Sequence, residues 1–102
     1  MLVYAENEAV LGNFEERGVD LSRPILVDFS HLFSDRTSAD QFAMEAERFG
    51  FTITVNCAEA WDVTASKIML PTCSNVTAAE LQLGELARAR GGKADGWGFL
   101  TD

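Results

Sequence analysis

Asp28 and His31 are a carboxylate and the only imidazole of the chain, three residues apart, and together they could move a proton. General acid–base chemistry needs both groups to converge on one reacting atom. Ile25-Leu26-Val27-Asp28-Phe29-Ser30 reads as a strand, and strand side chains alternate faces. An odd spacing therefore puts Asp28 and His31 on opposite sides wherever that strand continues. No nucleophile is tied to them, and catalysis is the weakest functional reading. The thiols come next. A strand of about ten residues separates Cys57 from Cys73, and at roughly 3.3 Å per residue its ends lie about 30 Å apart, against the roughly 5.5 Å Cα separation of a disulfide. The same gap denies them a shared zinc site with His31. The sequence has no Walker loop, G-x-G-x-x-G, H-E-x-x-H or G-x-S-x-G. It predicts no catalytic residue, no metal and no cofactor.

The most distinctive local chemistry is Gly91-Gly92-Lys93-Ala94-Asp95-Gly96-Trp97-Gly98-Phe99. Gly91 or Gly92 can take the left-handed conformation that closes a preceding helix. Gly96 and Gly98 flank Trp97 at period 2, so in a strand both lie opposite the indole and leave one face bare. A bare face admits another backbone, a ligand or a partner. Trp97 itself reads first as a core anchor and second as a contact residue. No helix start follows these glycines, so they offer no phosphate cradle.

Sixteen acidic residues against eight basic ones give a formal charge of −8. That field repels phosphate backbones, which argues against direct nucleic-acid binding and favours a basic protein partner. At 102 residues the chain is expected to be a single domain over residues 1–102. No run approaches the roughly 18 apolar residues of a membrane span, and the first residues lack a signal-peptide pattern, so a cytoplasmic protein without a membrane partner is expected.

The elements that must position these residues follow from periodicity and punctuation. Residues 4–17 form a helix that ends at Gly18, with Val3, Val10 and Phe14 on one face; Glu6, Glu8, Glu15 and Glu16 make a solvated acidic face or a docking face for a basic partner. Pro24 opens the first strand over Ile25–Ser30, and Leu32 and Phe33 lead into a turn. Thr37 or Ser38 caps a helix that carries Ala39, Phe42, Ala43, Ala46 and Phe49 along one stripe and stops at Gly50. Phe51–Asn56 alternates as a half-exposed strand, and Cys57–Ala60 turns the chain. Trp61–Leu70 is the hairpin's second strand, with Ile68 and Leu70 suggesting a bulge and Pro71 ending it. Thr77-Ala78-Ala79-Glu80 has the form of a capping box that opens a helix along Leu83, Leu86, Ala87 and Arg90. The Trp97 strand comes last. A helix followed by β-α-β-β-α-β predicts an α+β, ferredoxin-like sandwich with a four-stranded antiparallel sheet. Its open face would carry Thr52, Thr54 and Asn56 rather than stacking rings, which again argues against RNA.

Asp95-Gly96-Trp97-Gly98 after a helix ending in Gly91-Gly92, the Phe49-Gly50-Phe51 step, and Trp61-x-Val63 leading to Met69-x-Pro71 together resemble the regulator of ribonuclease activity B family, inhibitors of the endonuclease RNase E. The resemblance spans roughly residues 24 to 100 and departs from the family at Ala94, where an aromatic is usual. It implies a ferredoxin-like sandwich and a non-enzymatic role, with RNase E or another component of RNA decay as the protein partner. Asp95, Gly96, Trp97, Gly98 and Trp61 are then the motif or partner-binding residues. The opposing reading is a small-molecule-binding domain with a pocket near Trp61, His31 and Trp97. A deep pocket lined by His31, Asp28 and a tryptophan would favour that reading; a packed interior with a flat acidic face would favour the regulator. Monomer and homodimer both stay open, since an exposed edge strand could pair two copies.

Overall fold

Alternation along the strands makes the sheet one-sided. Val27, Phe29, Val63 and Ala65 are at most 1% exposed, while Asp28, Ser30, Thr64 and Ser66 between them turn the other way. The computed structural model describes residues 3–57 and 59–99. Its elements are α1 (Val3–Glu16), β1 (Ile25–Phe33), α2 (Arg36–Arg48), β2 (Thr52–Cys57), β3 (Trp61–Met69), α3 (Cys73–Ala89) and β4 (Lys93–Phe99). The strands lie in the order β2-β3-β1-β4 and every neighbouring pair is antiparallel. β3 sits between β1 and β2, and β1 sits between β3 and β4, which is the pair of split β-α-β units expected from the element order.

α2 and α3 cover one face of this sheet. Ala39, Phe42, Ala43 and Ala46 of α2 and Val76, Ala79, Leu83 and Ala87 of α3 close over Val27, Phe29, Phe33, Val63 and Ala65 to make the core. The small alanines let the helices approach the sheet, and the Phe29, Phe33, Phe42 and Phe51 rings fill the layer between them. Phe49, expected in the same stripe, is instead the C-cap of α2 and stands 47% exposed. α1 packs beside α3. Its buried residues are Asn7 and Leu11, with Phe14 half-buried, whereas Val10 is 38% exposed. The side chain of Val3, placed on that face by the sequence, falls outside the described residues, as does Ala58 in the β2–β3 turn.

Several boundaries differ from the sequence reading, each for a local reason. β1 continues through Phe33 instead of turning at Leu32, because His31 and Phe33 keep pairing with Val63 and Trp61 and bury their rings. α2 is capped by Asp35, not Thr37 or Ser38: the Asp35 carboxylate accepts from the Ser38 backbone N–H at 2.7 Å, and a negative group suits a helix N-terminus. α3 begins at Cys73, with Thr72 Oγ1 accepting from the Asn75 N–H at 3.1 Å, so Thr77 and Glu80 lie inside the helix and cap nothing. β3 keeps an unbroken register from Trp61 to Met69; Ile68 is simply exposed, at 67%, on the open face.

The bulge is in β4. Ser30 pairs with Gly96 and His31 with Ala94, leaving Asp95 as the extra residue, and Gly96 takes a φ of +117°. A bulge re-phases a strand by one residue. Without it, Lys93 would share the helix-facing side with Trp97 and Phe99; with it, Lys93 pairs beside Leu32 on the open side. At the other end of the α3–β4 link, a Cβ on Gly92 would stand 2.2 Å from a ring carbon of Phe33, so that position needs a bare backbone.

Gly96 and Gly98 should therefore respond differently to the same substitution. Gly96→Ala places a Cβ at a left-handed φ and is expected to cost about 1–2 kcal/mol of unfolding free energy. Gly98→Ala has no positive φ and meets nothing within 4 Å, so it should be neutral or stabilising by up to about 1 kcal/mol. Urea titrations of the two variants check this.

Candidate functional site

The catalytic reading fails on geometry. Asp28 is on the open face, where Ser66 Oγ donates to its Oδ1 at 2.5 Å. His31 is 1% exposed in the core, its ring 4.8 Å from that of Phe42. Burial among apolar side chains holds the imidazole below its ordinary range, against an opposing pull from the backbone of Phe29 and Val63. Its Nδ1 has no hydrogen-bond partner among the described residues. Five grooves mark the described surface, and His31, Trp61 and Trp97 line none of them. Of the three residues around which the small-molecule reading placed its pocket, His31 is packed into the core and Trp61 and Trp97 are half-buried on opposite sides of β1.

The two tryptophans do separate work. Trp61 starts β3 opposite Phe33, with the Arg36 guanidinium 6.0 Å above its ring. Trp97 lies opposite Phe29 on the other side of β1 and faces the helices. Its ring centroid is 6.2 Å from Phe14 and 5.6 Å from Phe99, and its Nε1 donates to Asn7 Oδ1 at 2.9 Å. Asn7 in turn donates through Nδ2 to Thr77 Oγ1 and to Glu80 Oε1, each at 3.0 Å. One buried amide thus joins α1, α3 and β4, with its oxygen and both of its N–H groups used. Sequence reasoning missed Asn7. Asparagine is a poor helix former, but α1 carries two, Asn7 and Asn13, and nothing in the sequence separates the buried one from the exposed one.

Because α1 is held in this way, its outward side is a fixed surface. α1 contains Glu6, Glu8, Glu15 and Glu16 and no Lys or Arg. All four glutamates are exposed, and none forms an ion pair with a described residue. At about 100° per residue, Glu8 and Glu15 stand about 20° apart, Glu16 flanks them and Glu6 lies on the far flank. The four occupy the outward half of the helix rather than one row. Glu8 and Glu15 also line a shallow groove of about 340 Å³ with Leu11, Gly12, Leu21 and Pro71.

A second surface is the open sheet face. Its rungs read Thr52, Ser66, Asp28, Gly98 and Thr54, Thr64, Ser30, Gly96 across β2, β3, β1 and β4. These are hydroxyls, one carboxylate and two bare glycines, and Asp28, Thr52, Thr54, Thr64 and Ser66 line a depression of about 360 Å³ together with Leu26. The sequence motif is therefore split by the fold: Gly96 and Gly98 belong to this face, Trp97 to the core, and Asp95 to the exposed bulge. Trp61 and the four glutamates belong to neither group.

No metal-holding cluster of three or more His, Cys, Asp or Glu side chains occurs among the described residues, and no described helix is long and apolar enough to cross a membrane. The family model described as "Regulator of ribonuclease activity B" matches residues 4–99, nearly the whole chain and including α1. No curated protein matches the chain.

Replacing Asn7 by Ala leaves the buried Trp97 N–H and its α3 partners unpaired. The expected loss is about 2–4 kcal/mol in unfolding free energy, with a red shift of tryptophan emission as α1 loosens over Trp97. His31 gives a pH test. Its folded pKa lies below the 6.5 of the free group, so the unfolded state binds the proton more readily and stability falls as the pH drops through about 6.5. Melting curves across that range should show the loss, and His31→Phe should remove this part of the slope.

Proposed function

The chain belongs to the regulator of ribonuclease activity B family, and on that premise we propose that it is a non-catalytic cytoplasmic regulator that binds a protein of the RNA-decay machinery. An endonuclease of the RNase E type is the first candidate partner, and the effect on it is inhibition. The observation that carries the proposal is the family match over α1 as well as the sandwich, because α1 bears the densest unpaired charge on the chain: four exposed glutamates without a cation in the helix. Such a surface steers a basic segment and sets its orientation more than it adds raw affinity.

Trp97, Phe14 and Asn7 serve this role indirectly by locking α1 to the sandwich, so that the glutamates are presented on a rigid support. Asp95 is exposed at the bulge and acts as a rim residue of the same partner surface, whereas Trp61 stands half-buried on the β2 side of the sheet under Arg36, away from α1. With a formal charge of −8, the chain would oppose direct RNA binding and reach RNA metabolism through a protein.

The test is binding of the purified chain to an RNase E-type endonuclease at low and at physiological salt, together with the cleavage rate of that enzyme. Glu8→Lys with Glu15→Lys should weaken binding about tenfold or more and relieve inhibition, whereas Asp28→Asn on the open sheet face should leave both unchanged. Binding that ignores salt and the charge reversal would refute the α1 surface. No binding at either salt would refute the partner.

A further inference from the structure

The sheet has two edges, and they are protected unequally. β4 carries the edge-blunting devices that keep strands from pairing with other chains: a bulge at Asp95–Gly96, two glycines, and the charges of Lys93 and Asp95. β2 carries none. Thr52-Ile53-Thr54-Val55-Asn56-Cys57 has no charge, no proline and an unbroken register with β3, and all of it is exposed except Ile53, which is half-buried. Val55, on the apolar side of the strand, is 40% exposed.

We propose that this edge is the interface for a second copy of the chain, β2 against β2 and antiparallel about a two-fold axis, so that two four-stranded sheets become one. The occupant is identified by self-complementarity. Residues directly opposite in an antiparallel pair share a face of the sheet. Ile53 and Val55 therefore stay on the helix side when the axis passes through a residue and not between two, and an axis through Thr54 or Val55 keeps the most of the strand paired. Both registers match apolar to apolar residues and Thr to Thr or Asn.

The flanking helices add charge complementarity. α2 runs alongside β2 in the opposite direction. Arg36 sits over Trp61, the partner of Cys57, and the Phe49 carbonyl accepts from Lys67 near the Thr52 end. Gln41 and Glu45 of α2 bond Arg90 of α3. Nine residues from Glu45, about half a turn around the helix, Arg36 lies on the flank away from α3; eleven residues further on, about three full turns, Glu47 lies on that same flank. Both are exposed, and Glu47 forms no ion pair with a described residue. Arg36 has a surface pair with Asp40 at 3.5 Å besides its place over the Trp61 ring. An axis through β2 makes α2 and its mate antiparallel, which brings each Arg36 beside the partner's Glu47. The helices would be about three strand spacings, roughly 14 Å, apart, a gap that one arginine and one glutamate side chain span. Self-association of an acidic chain also needs the like charges kept apart. α1 lies at the far edge, against β4, so the two glutamate-rich helices would point away from each other.

Sedimentation equilibrium of the full chain should give a concentration-dependent mass reaching twice 11.2 kDa, and hydrogen exchange should show β2 amides protected as the dimer forms. Val55→Lys should abolish the dimer while circular dichroism shows a folded monomer. Glu47→Arg should raise the dimer dissociation constant about tenfold, and Arg36→Glu combined with Glu47→Arg should restore it. A monomer at every concentration overturns the proposal. So does a dimer that survives Val55→Lys, or a double reversal that fails to recover the loss caused by Glu47→Arg.

Discussion

One side chain amide determines how the third helix is attached. The ferredoxin-like sheet with α2 and α3 already has a closed apolar core, to which α1 adds Leu11 and the half-buried Phe14. What fixes its position is Asn7, which accepts from Trp97 and donates to Thr77 and Glu80. A buried amide is costly when its groups are unpaired and directional when they are all paired. The helix can therefore dock in one rotation only, and its glutamates are left facing solvent.

The same logic explains the motif in β4. Asp95-Gly96-Trp97-Gly98 is not a patch in the folded protein. The bulge at Asp95 changes the phase of the strand, Gly96 accepts the backbone conformation the bulge requires, and the indole lands against Phe14, Phe99 and Asn7. The motif thus acts on the presented surface through α1. Trp97 is coupled to the acidic helix by its packing on Phe14 and its hydrogen bond to Asn7, so damage to Trp97 reaches the glutamate-bearing side of α1 through that contact.

Charge and edges are distributed to match this arrangement. The four glutamates of α1 lie at the β4 side of the molecule, where the edge strand is blunted, and the uncharged strand lies at the opposite end of the sheet. Three arginines elsewhere are engaged at short range, Arg23 with Asp20, Arg36 with Asp40 and Arg90 with Glu45. With an acidic helix at one end and an uncharged edge strand at the other, the two proposed interactions would use separate residues.

Much of this was readable before any coordinates. Element order and the α+β class follow from hydrophobic period and from glycine and proline punctuation, since a pleated strand and a 3.6-residue helix bury different spacings. The opposite placement of Asp28 and His31 is likewise a parity argument that holds because β1 stays straight. What the sequence left open or misassigned depends on partners distant in the chain. Thr77 and Glu80 match a helix cap by spacing, but Thr72 had already capped α3, and their groups turn to Asn7, 70 and 73 residues away. The phase of Trp97 could be read from its glycines, whereas the bulge beneath it depends on the register against β1. The buried face of α1 joins Leu11 and Phe14 to Asn7, and the polar member of that face is fixed by a hydrogen bond to β4 that the apolar period does not show. Local spacing determines which elements form. Only the tertiary structure decides how they dock, because a polar group's partner is chosen by geometry across the fold and leaves no periodic trace in the sequence.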